Sequence, residues 1–477
     1  MIFRAADLQK VTLKMLPFAD AASEGLPLRQ LLRLSLFQVS VGMAGVMLLG
    51  TLNRVMIVEL GVPALIVAIM IAIPVLAAPF RALLGFKSDT YRSAIGWKRI
   101  PYLWFGTLWQ FGGLAIMPMA LLVLSGNTAV DIPEGARQFA AGLAFLLTGI
   151  GMHMTQTAGL ALAADRADDE TRPRVVALLY VMFLVGMLLS AIIIGTLLRD
   201  FSELKLVQVV QGAAVVTALL NLTALWKQEK VKPMTREERT APKPTFSDAW
   251  DDLMSGGSAG RLLVVVFLGT MAFNMQDVLL EPYGGEILGL SVSSTTLLTA
   301  AWAIGALLGF AAAAKWLAKS TDPYRIAGRG LLVGLIAFTA VIFAAPLNST
   351  YMFFGGAFAI GLGGGLFSVA TLTAAMTMPA KGIAGRGLAL GAWGAAQATA
   401  AGLSTVIGGG LRDVVGSLAL QGTFGEALAT PATGYSVVYH TEIGLLFLTL
   451  IALGPLVRVK AISEAREAQF GLADFPT

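Results

Sequence analysis

The sequence predicts an all-α integral membrane protein, with twelve transmembrane helices arranged as two six-helix halves. Composition is the first reason: 56% of the 477 residues are hydrophobic and 13% are charged, where an ordinary soluble domain carries about 25% charged residues. Apolar runs of span length are the second, each long enough to cross about 30 Å of hydrocarbon as a helix. The third is the position of the longest polar connection, "WKQEKVKPMTREERTAPKPTFSDAWDDLMSGGSAG", which falls between the sixth and seventh runs.

Along the chain, residues 1–32 form a leader in which "LQKVTLKMLPFADAAS" sets Leu8, Val11 and Met15 at helical spacing beside Lys10 and Lys14. That pattern suits a short interfacial helix and equally an unstructured tail. No cleavable signal is expected, because the first apolar run starts late and has full span length. The first half, 33–226, holds spans at 33–53, 61–84, 100–124, 137–164, 174–198 and 206–226. A central loop occupies 227–259, where Phe246, Trp250, Leu253 and Met254 share one face behind a Ser247 cap, the pattern of a surface-lying helix. The second half, 260–457, holds spans at 260–281, 292–314, 327–346, 351–378, 387–411 and 436–457, and 458–477 is a tail.

Lys and Arg set the orientation. Placing both termini in the cytoplasm leaves only Arg54, Arg137, Arg199, Lys205 and Arg412 of the 34 basic residues outside. The net charge of +5 is therefore a topological signal, and nucleic-acid binding is not expected. The absence of cysteine rules out disulfides, thiolate nucleophiles and cysteine-bound metal clusters.

Between spans two and three the chain reads "GFKSDTYRSAIGWKRIP". Gly85, Asp89, Arg92 and Arg99 in this turn resemble, with stretched spacing, the signature of the major facilitator superfamily, whose two halves are pseudo-symmetric and enclose a midplane site. The resemblance implies that Asp89 braces the N-terminus of a second-half helix, where a carboxylate is favourable. Glycine ridges at Gly305/Gly309, Gly361/Gly365 and Gly387/Gly391/Ala395 fit close helix packing.

Span seven, "MAFNMQDVLLEPYGGEILGL", places Asn274, Asp277 and Glu281 at spacings of three and four, one polar stripe ahead of Pro282 and a loop with Gly284 and Gly285. The stripe is either a cavity wall or a water-facing helix end. His153, with Gln156 one turn on, lies near the middle of span four and suits a hydrogen bond between helices or a metal ligand. His440 falls at the outer start of span twelve beside Glu442, where solvation explains it. Spans one to six show no clear mid-bilayer carboxylate, Lys or Arg, which weighs against conventional ion coupling. No resident metal site and no enzymatic motif is visible.

Longer stretches are similar to one family within that superfamily, the PucC and LhaA proteins described as bacteriochlorophyll-delivery proteins. They are "LRLSLFQVSVGMAGVMLLGTLNRVMIVELGVP", "PFRALLGFKSDTYRSAIGWKRIPYLWFGTLWQFGGLAIMP", "HMTQTAGLALAADRADDETRPRVVALLYVM", "MQDVLLEPYGGEILGL" and "LALGAWGAAQATAAG". The leader and the closing "GLADFPT" stand closer to the PucC branch, associated with the light-harvesting 2 antenna. The resemblance implies a non-enzymatic assembly factor in a bacterial inner or intracytoplasmic photosynthetic membrane, with antenna α and β polypeptides, pigment-synthesis enzymes and membrane lipid as partners. Bacteriochlorophyll a is the expected cargo, with His153 as the magnesium ligand if pigment enters the cavity. The alternative function is secondary transport of a small amphiphile or pigment precursor.

Overall fold

A computed structural model describes residues 21–469, apart from 24, 53–54, 57–59, 61, 63, 94, 127–131, 199–201, 230, 232, 234, 236–243, 256, 291 and 379–384. The leader pattern at Leu8–Met15 and the closing "GLADFPT" lie outside the described residues. Among those described, helix is the only regular structure. Eleven helices are long and apolar enough to cross a membrane. The helix of predicted span four is not one of these eleven, because its Thr and Gly residues, with His153 and Gln156, dilute an otherwise sufficient length.

The chain forms two compact units that depart from the predicted halves. Unit 1 comprises residues 1–253 together with 378–395, and unit 2 comprises 254–377 and 396–477. Unit 1 contains α1 (Leu28–Gly45), which widens into a π-helical stretch at Val46–Thr51, then α2 (Ala64–Leu76), α3 (Phe80–Thr90), α4 (Ile100–Leu124), α5 (Glu134–Arg166), α6 (Arg172–Leu197), α7 (Glu203–Leu225) and α8 (Phe246–Ser255). Predicted span two is thus two helices. The chain breaks after Pro74, and turn bonds from Phe80 N to Ala77 O and from Arg81 N to Ala78 O restart it.

The core of unit 1 gathers Met47, Leu114, Phe145 and Leu206. α4 and α5 approach closely because Gly151 lies against Gln110, whose backbone nitrogen a Cβ would meet at 2.2 Å. α8, in the central loop, sets the Phe246 ring edge-on to Phe86, with centroids 5.5 Å apart.

Unit 2 contains α9 (Ser258–Asn274), α10 (Leu280–Glu286), α11 (Val292–Leu317), α12 (Pro323–Ala344), α13 (Thr350–Met376) and α15 (Ala432–Gln469). α14 (Arg386–Leu420) begins in unit 1 and continues into unit 2. Two of the predicted glycine ridges, Gly305/Gly309 and Gly361/Gly365, lie on α11 and α13 and meet there, while Gly387 and Gly391 on α14 lie against α3. A Cβ at Gly305 would lie 2.0 Å from Phe358 O, and one at Gly361 would lie 2.0 Å from Trp302 O. These positions let two backbones touch, which is how helices associate where lipid removes the hydrophobic drive.

Candidate functional site

Three polar constructions interrupt the apolar interior. The first is at the end of α3. Asp89 turns toward the first turn of α14, where its Oδ1 accepts from Gly387 N at 3.0 Å and its Oδ2 from Leu388 N at 2.7 Å. A carboxylate there satisfies two of the amides that a helix N-terminus leaves open and lies at the positive end of its dipole. Gly85 makes the approach possible, since a Cβ on it would lie 1.9 Å from Gly387 O.

Arg99, fully buried at the start of α4, ties the turn together. Its NH2 donates to Asp89 at 2.5 Å and its Nε to Asp165, at the end of α5, at 3.0 Å. Burial alone would lower this guanidinium, but the Asp165 and Asp89 carboxylates outweigh it and hold it above its ordinary value. Lys98, 3.6 Å from Asp89, is instead lowered by burial and by the Arg99 charge, with the exposed Arg92 adding to the repulsion. Glu229, from the start of the central loop, accepts the backbone N–H groups of Lys98, Arg99 and Ile100 and so caps α4 from a distance. The sequence reading includes Gly85, Asp89, Arg92 and Arg99 but misses Asp165 and Glu229, which stand far away in sequence.

The second construction lies at the break between α2 and α3. His153 is buried on α5 and its Nε2 donates to Pro74 O at 3.1 Å, a carbonyl at the break that also accepts from Ala77 N. Donation from Nε2 leaves Nδ1 as a bare acceptor, buried and without a partner. Gln156 is half-buried one turn further along. Arg81, the second residue of α3, is fully buried beside them; its Nε donates to Thr157 at 3.1 Å and its NH2 has no partner. The expectation for spans one to six concerns mid-bilayer charges and does not single out Arg81. Arg81 falls near the predicted end of span two, where a long side chain ordinarily snorkels to water, but here it turns inward.

The third construction is in unit 2, where predicted span seven breaks. α9 stops at Asn274, residues Met275–Val278 form a 3-10 turn, and α10 resumes at Leu280. The single helical stripe expected for Asn274, Asp277 and Glu281 is therefore replaced. Asp277 folds back locally, accepting from Asn274 Nδ2 at 3.0 Å and Gln276 Nε2 at 2.5 Å, and the Glu281 side chain lies outside the described residues. Pro282 does not end the span. It sits in the first turn of α10, where a missing N–H is tolerated, and Gly284 and Gly285 are helical.

Glu442 on α15 is fully buried. Its carboxylate lies beside the Gln276 backbone, and neither oxygen completes a hydrogen bond; the buried Tyr439 hydroxyl is unpartnered as well. Discontinuous helices with buried polar groups occur in membrane proteins where the freed backbone lines a site. His440 is exposed, with Nδ1 donating to Ser436 O at 2.7 Å. Among the described residues no three His, Asp or Glu side chains group as metal ligands.

One surface feature of unit 1 adds to these. Trp97, Trp104, Phe105, Leu222 and Trp226 line an aromatic cleft between α4 and α7, with Lys227 and Glu229 at its rim.

Comparison with solved structures identifies the architecture. The chain is similar to a bacterial homologue of the iron transporter ferroportin in an outward-facing state, with a TM-score of 0.68 at 14% identity, covering 89% of this chain and 98% of that one. It is also similar to the Major Facilitator Superfamily transporter FucP, with a TM-score of 0.59 at 15% identity over 89% and 98% of the two chains. The fold is that of the major facilitator superfamily.

Among sequences, a protein of Rhodobacter capsulatus described as an uncharacterized protein in the puhA-bchM intergenic region is 61% identical over 100% of both chains. Protein PucC of Rhodovulum sulfidophilum is 55% identical over 84% of this chain and 89% of its own. The sequence profile of the PUCC protein family matches residues 51–461, and with these relatives it places the chain as a member of the PUCC protein family.

Proposed function

We propose that this protein is a non-enzymatic assembly factor for photosynthetic antenna, binding light-harvesting α and β polypeptides and delivering or chaperoning bacteriochlorophyll a. The observation that carries the proposal is the likeness to Protein PucC over most of both chains. Two structural features support pigment as cargo. His153 keeps a buried Nδ1 with no partner, a lone pair of the kind that takes the axial position on magnesium. The cleft at Trp97, Trp104 and Trp226 offers flat aromatic surface for a macrocycle or an antenna helix. Both termini are cytoplasmic in this proposal, within an inner or intracytoplasmic photosynthetic membrane.

The test is a clean deletion strain. Assembled antenna absorption should fall while antenna transcripts and pigment synthesis continue, and normal antenna absorption overturns the proposal. The light-harvesting 2 and light-harvesting 1 bands are read separately, because identity to the intergenic-region protein exceeds identity to PucC; a selective fall in the light-harvesting 2 band is expected from the PucC-like ends of the chain. Secondary transport of a small amphiphile is the second reading, favoured by the major facilitator fold and by the broken helix beside Glu442. Substrate-dependent flux in pigment-free proteoliposomes would support it.

A further inference from the structure

We infer that Arg81 is the anchor of a carboxylate-binding site inside unit 1, specific for an amphiphile that carries a free acid group. Arg81 is 1% exposed, and its NH2 has no hydrogen-bond partner. Its one bond is Nε to the neutral Thr157 hydroxyl, and the titratable groups acting on it or acted on by it are Tyr180 and His153. Among the described residues no carboxylate pairs with it. Ion pairing is what ordinarily retains a charge in a membrane interior, because an uncompensated one costs several kcal/mol.

The surroundings hold this cation in place. Gly394 on α14 lies flat against the guanidinium, where a Cβ would come within 2.4 Å of Cζ and NH2, and Gly391 lies against the Arg81 backbone carbonyl. α3 restarts at this point after the break, and its first amides are already taken by turn carbonyls, so the guanidinium is the available donor. With Nε committed to Thr157, the unpartnered NH2 suits an oxygen of a carboxylate. A phosphate, with more charge and more oxygens, needs more donors than one guanidinium supplies.

The choice of probe, though not the site, rests on the pigment-handling proposal. A tetrapyrrole that has not been esterified carries such an acid, whereas the esterified pigment does not. The class of ligand inferred is therefore the free acid, the form that an esterification step consumes.

The experiment uses the full chain in nanodiscs of phosphatidylcholine and measures binding of pheophorbide a and of its methyl ester. Both are metal-free, so His153 makes no axial bond. The wild type should bind the acid at least tenfold more tightly than the ester, and Arg81→Gln should erase that preference while ester binding stays unchanged. The preference is read within the wild type itself, so it holds even if the variant folds poorly. Equal binding of acid and ester by the wild type, or a preference that survives Arg81→Gln, overturns the site and leaves the pigment proposal standing. If neither chlorin binds but palmitate does in an Arg81-dependent way, the carboxylate site stands and the free-acid tetrapyrrole is overturned as its ligand. Loss of acid binding in the presence of inorganic phosphate, with no such loss in equimolar acetate, identifies a phosphate as the ligand and overturns the carboxylate assignment.

Discussion

Replacing Asp89 by Ala removes two acceptors from the first turn of α14 and one counter-ion from Arg99 in a single step. The Asp89 side chain is 6% exposed and that of Arg99 is 0% exposed, so the pair counts as buried. Truncating one partner of such a pair costs about 3–5 kcal/mol, mostly because the remaining charge stays behind in a poorly solvating site. Asp165 still holds Arg99 Nε, which puts the expected loss near the lower end. At 1.4 kcal/mol per decade, roughly a hundredfold more frequent opening of this turn follows.

Hydrogen–deuterium exchange followed on a peptide covering 385–395 reads this directly, because the Gly387 and Leu388 amides lose their acceptors. Asp89→Asn should behave nearly as Asp89→Ala does, since an amide offers one acceptor and turns its NH2 toward groups that are themselves donors. Lys87→Ala is the control, with an exposed side chain on the same helix, and exchange within about threefold of wild type is expected for it. Equal protection of the 385–395 peptide in Asp89→Ala and Lys87→Ala would refute the reasoning.

Other outcomes follow from the same geometry. Gly85→Ala should destabilise unit 1 by about 1–3 kcal/mol or more, because its Cβ meets backbone at 1.9 Å; thermal unfolding in detergent checks this, and an unchanged midpoint counts against the close contact. His153→Ala should cost about 0.5–1.5 kcal/mol by removing one of the two donors to Pro74 O, which keeps Ala77 N at 3.2 Å, read in the same way. Asp277→Leu should lower stability more than Asp277→Asn, since Leu removes the acceptors of both the Asn274 and Gln276 amides, of which Gln276 keeps Phe273 O, while Asn keeps one acceptor. Glu442→Gln breaks no hydrogen bond and removes an unpaired acid, so its thermal midpoint should equal or exceed that of wild type; a clear fall would reveal a bond that the carboxylate makes.

The membrane fold is legible because each span declares itself by length and composition, and the long loop at 226–260 declares the halves. Asp89 is legible for a different reason: the turn around it resembles the signature of the major facilitator superfamily, and that resemblance implies a carboxylate at a helix N-terminus. Its target, at Gly387 and Leu388, is not encoded locally, because the contact joins positions some 300 residues apart.

The breaks in spans two and seven are hidden, since Pro74, Ala77 and Ala78, like Met275 and Val278, leave hydropathy unchanged. Those breaks decide the rest. They turn Asp277 back on its neighbours instead of along a helical stripe, and they bring Arg81 and His153 to one broken stretch of backbone. Arg81 and Glu442 also escape sequence reading because each stands near a predicted span end, where water is the default partner. Only packing, with Gly394 against the guanidinium and the Gln276 backbone beside the carboxylate, shows that water is excluded.

The central claim is that this chain handles antenna components, and purification of the full-length protein from a photosynthetic host in mild detergent tests it most directly. The account predicts a preparation whose absorption spectrum carries bacteriochlorophyll bands and whose protein content includes antenna α and β polypeptides, with the pigment reduced in His153→Ala relative to matched wild type. A well-folded preparation free of both pigment and antenna polypeptide, which instead drives substrate-dependent flux in proteoliposomes, would contradict it.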